Sequence, residues 1–182
     1  MAYGMRTSGI WKILNRHGLN KMWLPDETFK SIIQHTPLIS IDLIVRNEQG
    51  YVLLGKRVNA PAKGCWFVPG GRVRKNETLD DAFVRLVREE LGIESGITRA
   101  DAKSLGVFEH FYDDNVFDDE VSTHYVVLGY ELNSVSEYIL EPPLKQHVNY
   151  QFFEEAKILK SEDVNLYTKN YFKSSNSESF NE

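Results

Sequence analysis

The sequence predicts an α/β or α+β domain, on three observations. Segments with period-two apolar alternation lie on both sides of a capped amphipathic helix, and their order is mixed rather than a repeating strand–helix unit. The 182 residues suit one domain with a real core. A hydrophobic content of 42% and a charged content of 26% are ordinary for a soluble globular chain.

Residues 1–21 are weakly patterned and are read as an N-terminal extension, in which Ile10, Trp11, Ile13 and Leu14 could form a short amphipathic turn or a dimer contact. The compact domain is read over 22–173. Asp26 is the expected N-cap of a helix through Phe29, Ile32 and Ile33 that stops before Pro37. Pro37–Arg46 alternates as a strand, with Ile39, Ile41, Leu43 and Val45 on one face and Leu38, Ser40, Asp42 and Ile44 on the other. Asn47–Gly50 is a turn, Tyr51–Arg57 the returning strand, and Cys65–Val68 a short buried strand leading into Gly70-Gly71.

The central helix follows that double glycine. Thr78 and Asp81 have capping-box spacing, Gly92 is the natural stop, and Leu79, Ala82, Phe83, Leu86 and Val87 recur at helical spacing. Glu90 falls in the middle of this apolar stripe and Glu89 near its edge. A carboxylate facing a core costs several kcal/mol unless a cation or donor meets it. A metal ion is one candidate for Glu90; Arg85 or Arg88 is the other, and a small error in helix phase would remove the question.

Beyond the helix, 94–103 reads as a polar connection. Leu105–Tyr112 and Thr123–Leu132 are strands about an acidic loop, Asp113–Glu120; Ser134–Lys145 is a connection, Val148–Phe153 a further strand, and 154–173 one or two helices. Residues 174–182 are a polar tail, expected to be disordered.

Composition narrows the function. A net charge of −5 argues against nucleic-acid binding through a basic surface, so an anionic substrate needs local cations. The one cysteine, Cys65, excludes an internal disulfide framework and fits a reducing cytoplasm; it reads as a buried small residue rather than a nucleophile. No run of about 18 apolar residues exists, so neither a membrane span nor a membrane partner is expected.

Gly71, Glu77, Arg85, Val87, Glu89, Glu90, Gly92 and Ile93 stand in register with the Nudix box, so the stretch resembles the Nudix hydrolase family. One position departs from the pattern: Leu86 stands where the family has a Glu that helps hold magnesium. The resemblance implies an αβα sandwich around a mixed β-sheet, with the box as the metal-carrying loop–helix–loop. It extends beyond the box through Pro37–Asp42, Leu54–Arg57, Trp66–Val73, His110–Asn115 and Thr123–Gly129, which are similar to the GDP-mannose mannosyl hydrolase branch of the family. That branch also has a hydrophobic residue at the position of Leu86.

The branch implies Mg²⁺-dependent hydrolysis of GDP-mannose, with GDP-glucose a second candidate, by attack of water at sugar C1 with inversion, and a homodimer. Carried over by position, the metal ligands are the Gly70 carbonyl, Glu90 and Gln146, with Glu89 an additional candidate; these hard oxygen donors suit Mg²⁺, with Mn²⁺ as a substitute. His147 matches the general base, a task suited to an imidazole, whose unperturbed pKa is about 6.5. Without the resemblance, Gln146-His147 reads as an ordinary exposed loop pair. Arg57 and Arg72 match diphosphate-binding positions, where a guanidinium fork fits phosphate oxygens; a solvated surface arginine is the competing reading. Asp42 matches a leaving-group or sugar contact, against a half-exposed strand carboxylate, and Tyr125 a phosphate hydrogen-bond donor, against a core tyrosine. Glu77 is expected to brace the loop, Arg85 to orient a Glu of the box, and His110 and His124 to be satisfied strand histidines. Two other functions compete: ordinary pyrophosphohydrolysis at phosphorus of a nucleotide sugar or nucleoside triphosphate, and non-catalytic sensing of a nucleotide sugar.

Overall fold

The computed structural model describes residues 24–58, 60, 62–117, 121–133, 138, 140, 142 and 147–173, with backbone alone at 147 and 148. The N-terminal extension, the C-terminal tail and Gln146 lie outside the described residues. The elements run α1 (Asp26–His35), β1 (Leu38–Val45), β2 (Val52–Arg57), β3 (Trp66–Phe67), β4 (Gly70–Arg72), α2 (Leu79–Leu91), a 3₁₀ turn (Arg99–Asp101), β5 (Lys103–Tyr112), β6 (Thr123–Leu132), β7 (His147–Phe153), α3 (Glu155–Lys160) and α4 (Leu166–Lys173).

The mixed α+β class is as expected, but the strands divide between two sheets. One is mixed and four-stranded in the order β4-β1-β6-β5; the other has three strands, β3-β2-β7. β1 runs parallel to β6 and antiparallel to β4, and β2 pairs antiparallel with both of its neighbours.

Two apolar clusters hold the layers together. In the first, Ile41, Leu43 and Val45 of β1 meet Ala82, Phe83, Leu86, Val87 and Leu91 of α2. In the second, Ile44 of β1 and Val52 and Leu54 of β2 meet Ile158 of α3 and Tyr171 and Phe172 of α4. β1 is therefore covered on both faces, which explains its near-continuous apolar sequence. Asp42 is the one carboxylate in that strand, and β1 carries it to the β4 edge, opposite Gly70.

The α2 helix forms where its pattern predicts. Thr78 Oγ1 accepts the Asp81 amide at 3.1 Å, and Gly92 ends the helix in the left-handed region at φ 74°. Leu79 departs from the expected stripe: it is exposed, because the helix begins there before it meets the sheet. Four further readings are corrected. Pro25, not Asp26, is the N-cap of α1; Asp26 sits in the first turn, where a carboxylate favours the helix dipole. Cys65 is half-buried rather than buried, since it precedes the strand that packs. His147 belongs to a strand and not a loop: its pairing with Arg57 starts β7 one residue before Val148. His124 stacks on Phe111, and its Nε2 lies 3.5 Å from Glu109 Oε1 without a hydrogen bond between them.

Candidate active site

The loop from β4 to α2 is held by one arginine. Arg85 is 8% exposed and uses its whole fork. Nε donates to Glu77 Oε1 at 2.6 Å, one terminal nitrogen donates to Glu77 Oε2 at 2.8 Å and to the Arg72 carbonyl at 2.8 Å, and the other donates to Glu89 Oε2 at 3.0 Å. Glu77 Oε2 also accepts the Arg74 amide at 2.9 Å. Burial works against the charge of Glu77, but Arg85 and the Arg74 amide outweigh it and hold the carboxyl below its ordinary pKa. Both oxygens of Glu89 accept from Arg74 as well, at 3.3 and 3.1 Å. Glu77 thus braces the loop, and Arg85 orients Glu89 of the box, as read from the sequence.

Glu90, one residue on, is 5% exposed. Burial, and then the neighbouring charge of Glu89, raise its pKa from 4.5 to about 7, against the opposing pull of Arg57 and Arg85. Arg85, one of the two arginines the sequence offers as its partner, hydrogen-bonds Glu77, Glu89 and the Arg72 carbonyl and acts on Glu90 through its charge.

The double glycine is required by close approach. A Cβ on Gly70 would stand 2.6 Å from both Asp42 Oδ1 and the Ile41 carbonyl; one on Gly71 would stand 2.7 Å from Leu86 Cδ2. Leu86 is 2% exposed and belongs to the main core. Leu86→Glu is therefore expected to lower the thermal midpoint of the metal-free protein by about 10 °C, since a buried carboxylate there costs several kcal/mol. Circular dichroism melts check this; a midpoint within about 2 °C of the parent would show that the site accepts a second acidic ligand.

The remaining predicted residues converge from other elements. Asp42 is half-buried, and its Oδ2 accepts the Tyr171 hydroxyl at 2.8 Å. Burial raises its pKa from 3.8 to about 6, while Tyr171 and the charge of Arg57 pull it down. Arg57, at the end of β2, acts on Asp42, Glu90, Tyr112 and Tyr125 alike, so these side chains share one electrostatic site. Its guanidinium lies 5.3 Å from the Phe67 ring centre. Arg72 stacks on Phe29 of α1 at 3.8 Å; burial lowers its pKa and the nearby Tyr125 raises it. Tyr125 is half-buried between the fields of Arg57 and Arg72. His147 stands opposite Arg57 in the β2–β7 ladder. His110 is buried and its pKa falls to about 4 by burial alone, which keeps the ring neutral.

The sequence reading missed four tyrosines. Tyr112 and Tyr150 face the charges of Asp42 and Glu90 respectively, Tyr171 binds Asp42, and Tyr167 stacks on His110 with ring centres 4.4 Å apart. Tyr112 was in view within the His110–Asn115 motif; nothing in the local sequence of the last helix marks Tyr167 or Tyr171 as more than apolar positions.

The family model described as the NUDIX domain matches residues 36–174. The chain belongs to the Nudix family. It is a Nudix-type hydrolase, and its relatives include the low-salt glycan biosynthesis protein Agl8 of Haloferax volcanii, 48% identical over 109 residues, 60% of this chain and 67% of that protein. The ADP-ribose pyrophosphatase of Methanocaldococcus jannaschii is 42% identical over 57 residues, but that match spans only 33% of the relative and 31% of this chain. Among solved structures, the MutT NUDIX hydrolase of Burkholderia pseudomallei superposes with a TM-score of 0.59 at 26% identity, over 75% of this chain and 96% of that one. The NUDIX domain of Shewanella oneidensis NrtR, solved with ADP ribose, has a TM-score of 0.57 over 84% of this chain and 97% of that one; at 15% identity it shares the fold alone. Among the described residues, no helix of this Nudix chain is long and apolar enough to cross a membrane.

Proposed function

We propose that this Nudix protein hydrolyses a GDP-hexose, GDP-mannose first, to GDP and the free sugar by attack of water at sugar C1 with inversion. The observation that carries this reading is the acidic inventory of the site. Leu86 is core, Glu89 is clamped by Arg74 and Arg85, and Glu90 is buried in the apolar stripe of α2 within the field of Arg57. That inventory suits a leaving diphosphate that needs its charge offset, more than a bridged pair of metals that must make hydroxide.

The donor set fits one hard cation. Glu90 is a buried carboxylate, and Gly70 brings its backbone against Asp42 beside it; with the Gln146 amide, these would supply carboxylate, carbonyl and amide oxygens to Mg²⁺. Bound there, Mg²⁺ supplies charge neutralisation for the departing diphosphate. Arg57 and Arg72 grip phosphate oxygens, and the aromatic rings beneath their guanidinium groups hold the forks in place. Tyr125 keeps its proton, because burial raises its pKa, and offers it to phosphate as a hydrogen bond. Asp42 contacts the sugar or the leaving oxygen. His147 takes the proton of the attacking water. The relative named for glycan biosynthesis supports a sugar-bearing substrate.

The test is product identification by NMR after incubation with GDP-mannose and Mg²⁺. GDP with free mannose, appearing first as the β-anomer, is the expected result; GMP with mannose 1-phosphate would establish attack at phosphorus instead. His147→Ala is expected to lower kcat by about 100-fold or more at neutral pH while leaving KM within a few-fold. A steady-state comparison that finds kcat unchanged removes His147 as the base.

A further inference from the structure

Asp42 does not stand alone on its strand. Its Oδ2 accepts the Tyr171 hydroxyl at 2.8 Å, across 129 positions of sequence. Tyr171 is 6% exposed, and its ring packs edge-on against Phe108 with centroids 4.6 Å apart. On the other side of the same hydroxyl stands His110 Nε2, at 3.4 Å. A phenol has one proton to donate and lone pairs to accept with. The ionised Asp42 has only lone pairs, so the Tyr171 proton goes to it, and the neutral His110 completes the chain by donating from Nε2. His110 is held in turn by the Tyr167 ring stacked on it at 4.4 Å, and the Tyr167 hydroxyl binds the Phe111 backbone through both its amide and its carbonyl. Asp42, Tyr171 and His110 are each buried or half-buried, where their hydrogen bonds lose little to water.

We propose that Tyr171, backed by His110, is a positioning residue that aims the free oxygen of Asp42 at the substrate. The inference rests on the proposed function, in which Asp42 contacts the sugar or leaving group. One oxygen is anchored by α4, and Oδ1 lies against Gly70 at the mouth of the candidate metal loop. A carboxylate tethered at one oxygen keeps a single rotamer, and about 1 Å of misplacement at a reacting centre can cost 100-fold in rate. Through Tyr171, α4 is thereby a part of the active site.

The test is a double-mutant cycle on kcat and KM for GDP-mannose with Mg²⁺, using the parent, Tyr171→Phe, Asp42→Asn and the double variant. Tyr171→Phe keeps the ring and its packing. It is expected to lower kcat about tenfold with KM within about twofold, and to cause no further loss in the Asp42→Asn background. Unchanged kcat, or an equal loss in both backgrounds, would overturn the role: the hydroxyl would then only tie α4 to the sheet. GDP affinity by calorimetry reports whether each variant is folded. Should Tyr171→Phe unfold, 3-fluorotyrosine placed at 171 alone changes donor strength without changing shape. A kcat shift that disappears with Asp42→Asn supports the proposal, and one that persists sinks it. Parent products of GMP and sugar phosphate overturn the underlying reading, whereas GDP and mannose with an additive cycle overturn only Tyr171.

Discussion

Replacing Glu90 with glutamine is expected to lower kcat by about 100-fold or more and to abolish most of the response to added divalent cation. The side chain is 5% exposed in the apolar stripe of α2, and glutamine keeps its shape while removing the charge that would hold Mg²⁺. The metal-free protein provides an independent readout. Burial and Glu89 raise the folded pKa of Glu90 from 4.5 to about 7. The folded state then holds a proton that the unfolded state has released, so stability from this group falls as pH rises from about 4.5 through about 7. Asp42, raised from 3.8 to about 6, acts in the same direction over a lower window. Thermal melts without metal are thus expected to weaken between pH 5 and pH 8, Mg²⁺ to recover more stability at pH 8 than at pH 5, and Glu90→Gln to flatten both trends. A variant that melts with the parent's pH profile and keeps its Mg²⁺ response would remove Glu90 from the metal site.

Replacing Arg85 with alanine is expected to cost about 3–5 kcal/mol of stability, the usual result of deleting one member of a buried ion network. The guanidinium satisfies both oxygens of Glu77, one of Glu89 and the Arg72 carbonyl at once. Removing it leaves Glu77 facing the interior with only the Arg74 amide among its hydrogen bonds. Lysine is not expected to rescue the loss, because its ammonium cannot reproduce the planar fork. Urea unfolding of the parent, Arg85→Ala and Arg85→Lys measures both effects. A loss under about 1 kcal/mol would mean that the loop is held by packing alone.

Much of this molecule is legible along the chain, and the reason is local. The α2 helix declares its start at Thr78 and its stop at Gly92, because capping uses residues three or four apart. The Glu77–Arg85 brace spans only eight residues, so loop and helix carry their own partner in sequence. Glu90 marks itself by its phase: a carboxylate inside an apolar stripe is a conflict visible without coordinates.

What the chain could not display is decided by contacts between distant segments. The division of strands into two sheets follows from β2 choosing β7 rather than β1, a pairing set by which apolar faces meet. The same ladder places His147 opposite Arg57, 90 positions away in sequence. The grip of Tyr171 on Asp42 has no local signature, since a tyrosine in an amphipathic helix reads as core wherever it falls. Likewise, the need for glycine at 71 is visible only once the Leu86 side chain is seen filling the space where a Cβ would stand. By itself, then, the sequence determined the helix that carries the box, the strands around it except β4, which it read as a loop, and the family. Tertiary structure alone decided which oxygen of Asp42 is anchored, and that Leu86 fills the space where a Cβ at 71 would stand. The first set rests on interactions within one or two turns of chain; the second rests on surfaces that exist only after the layers have closed.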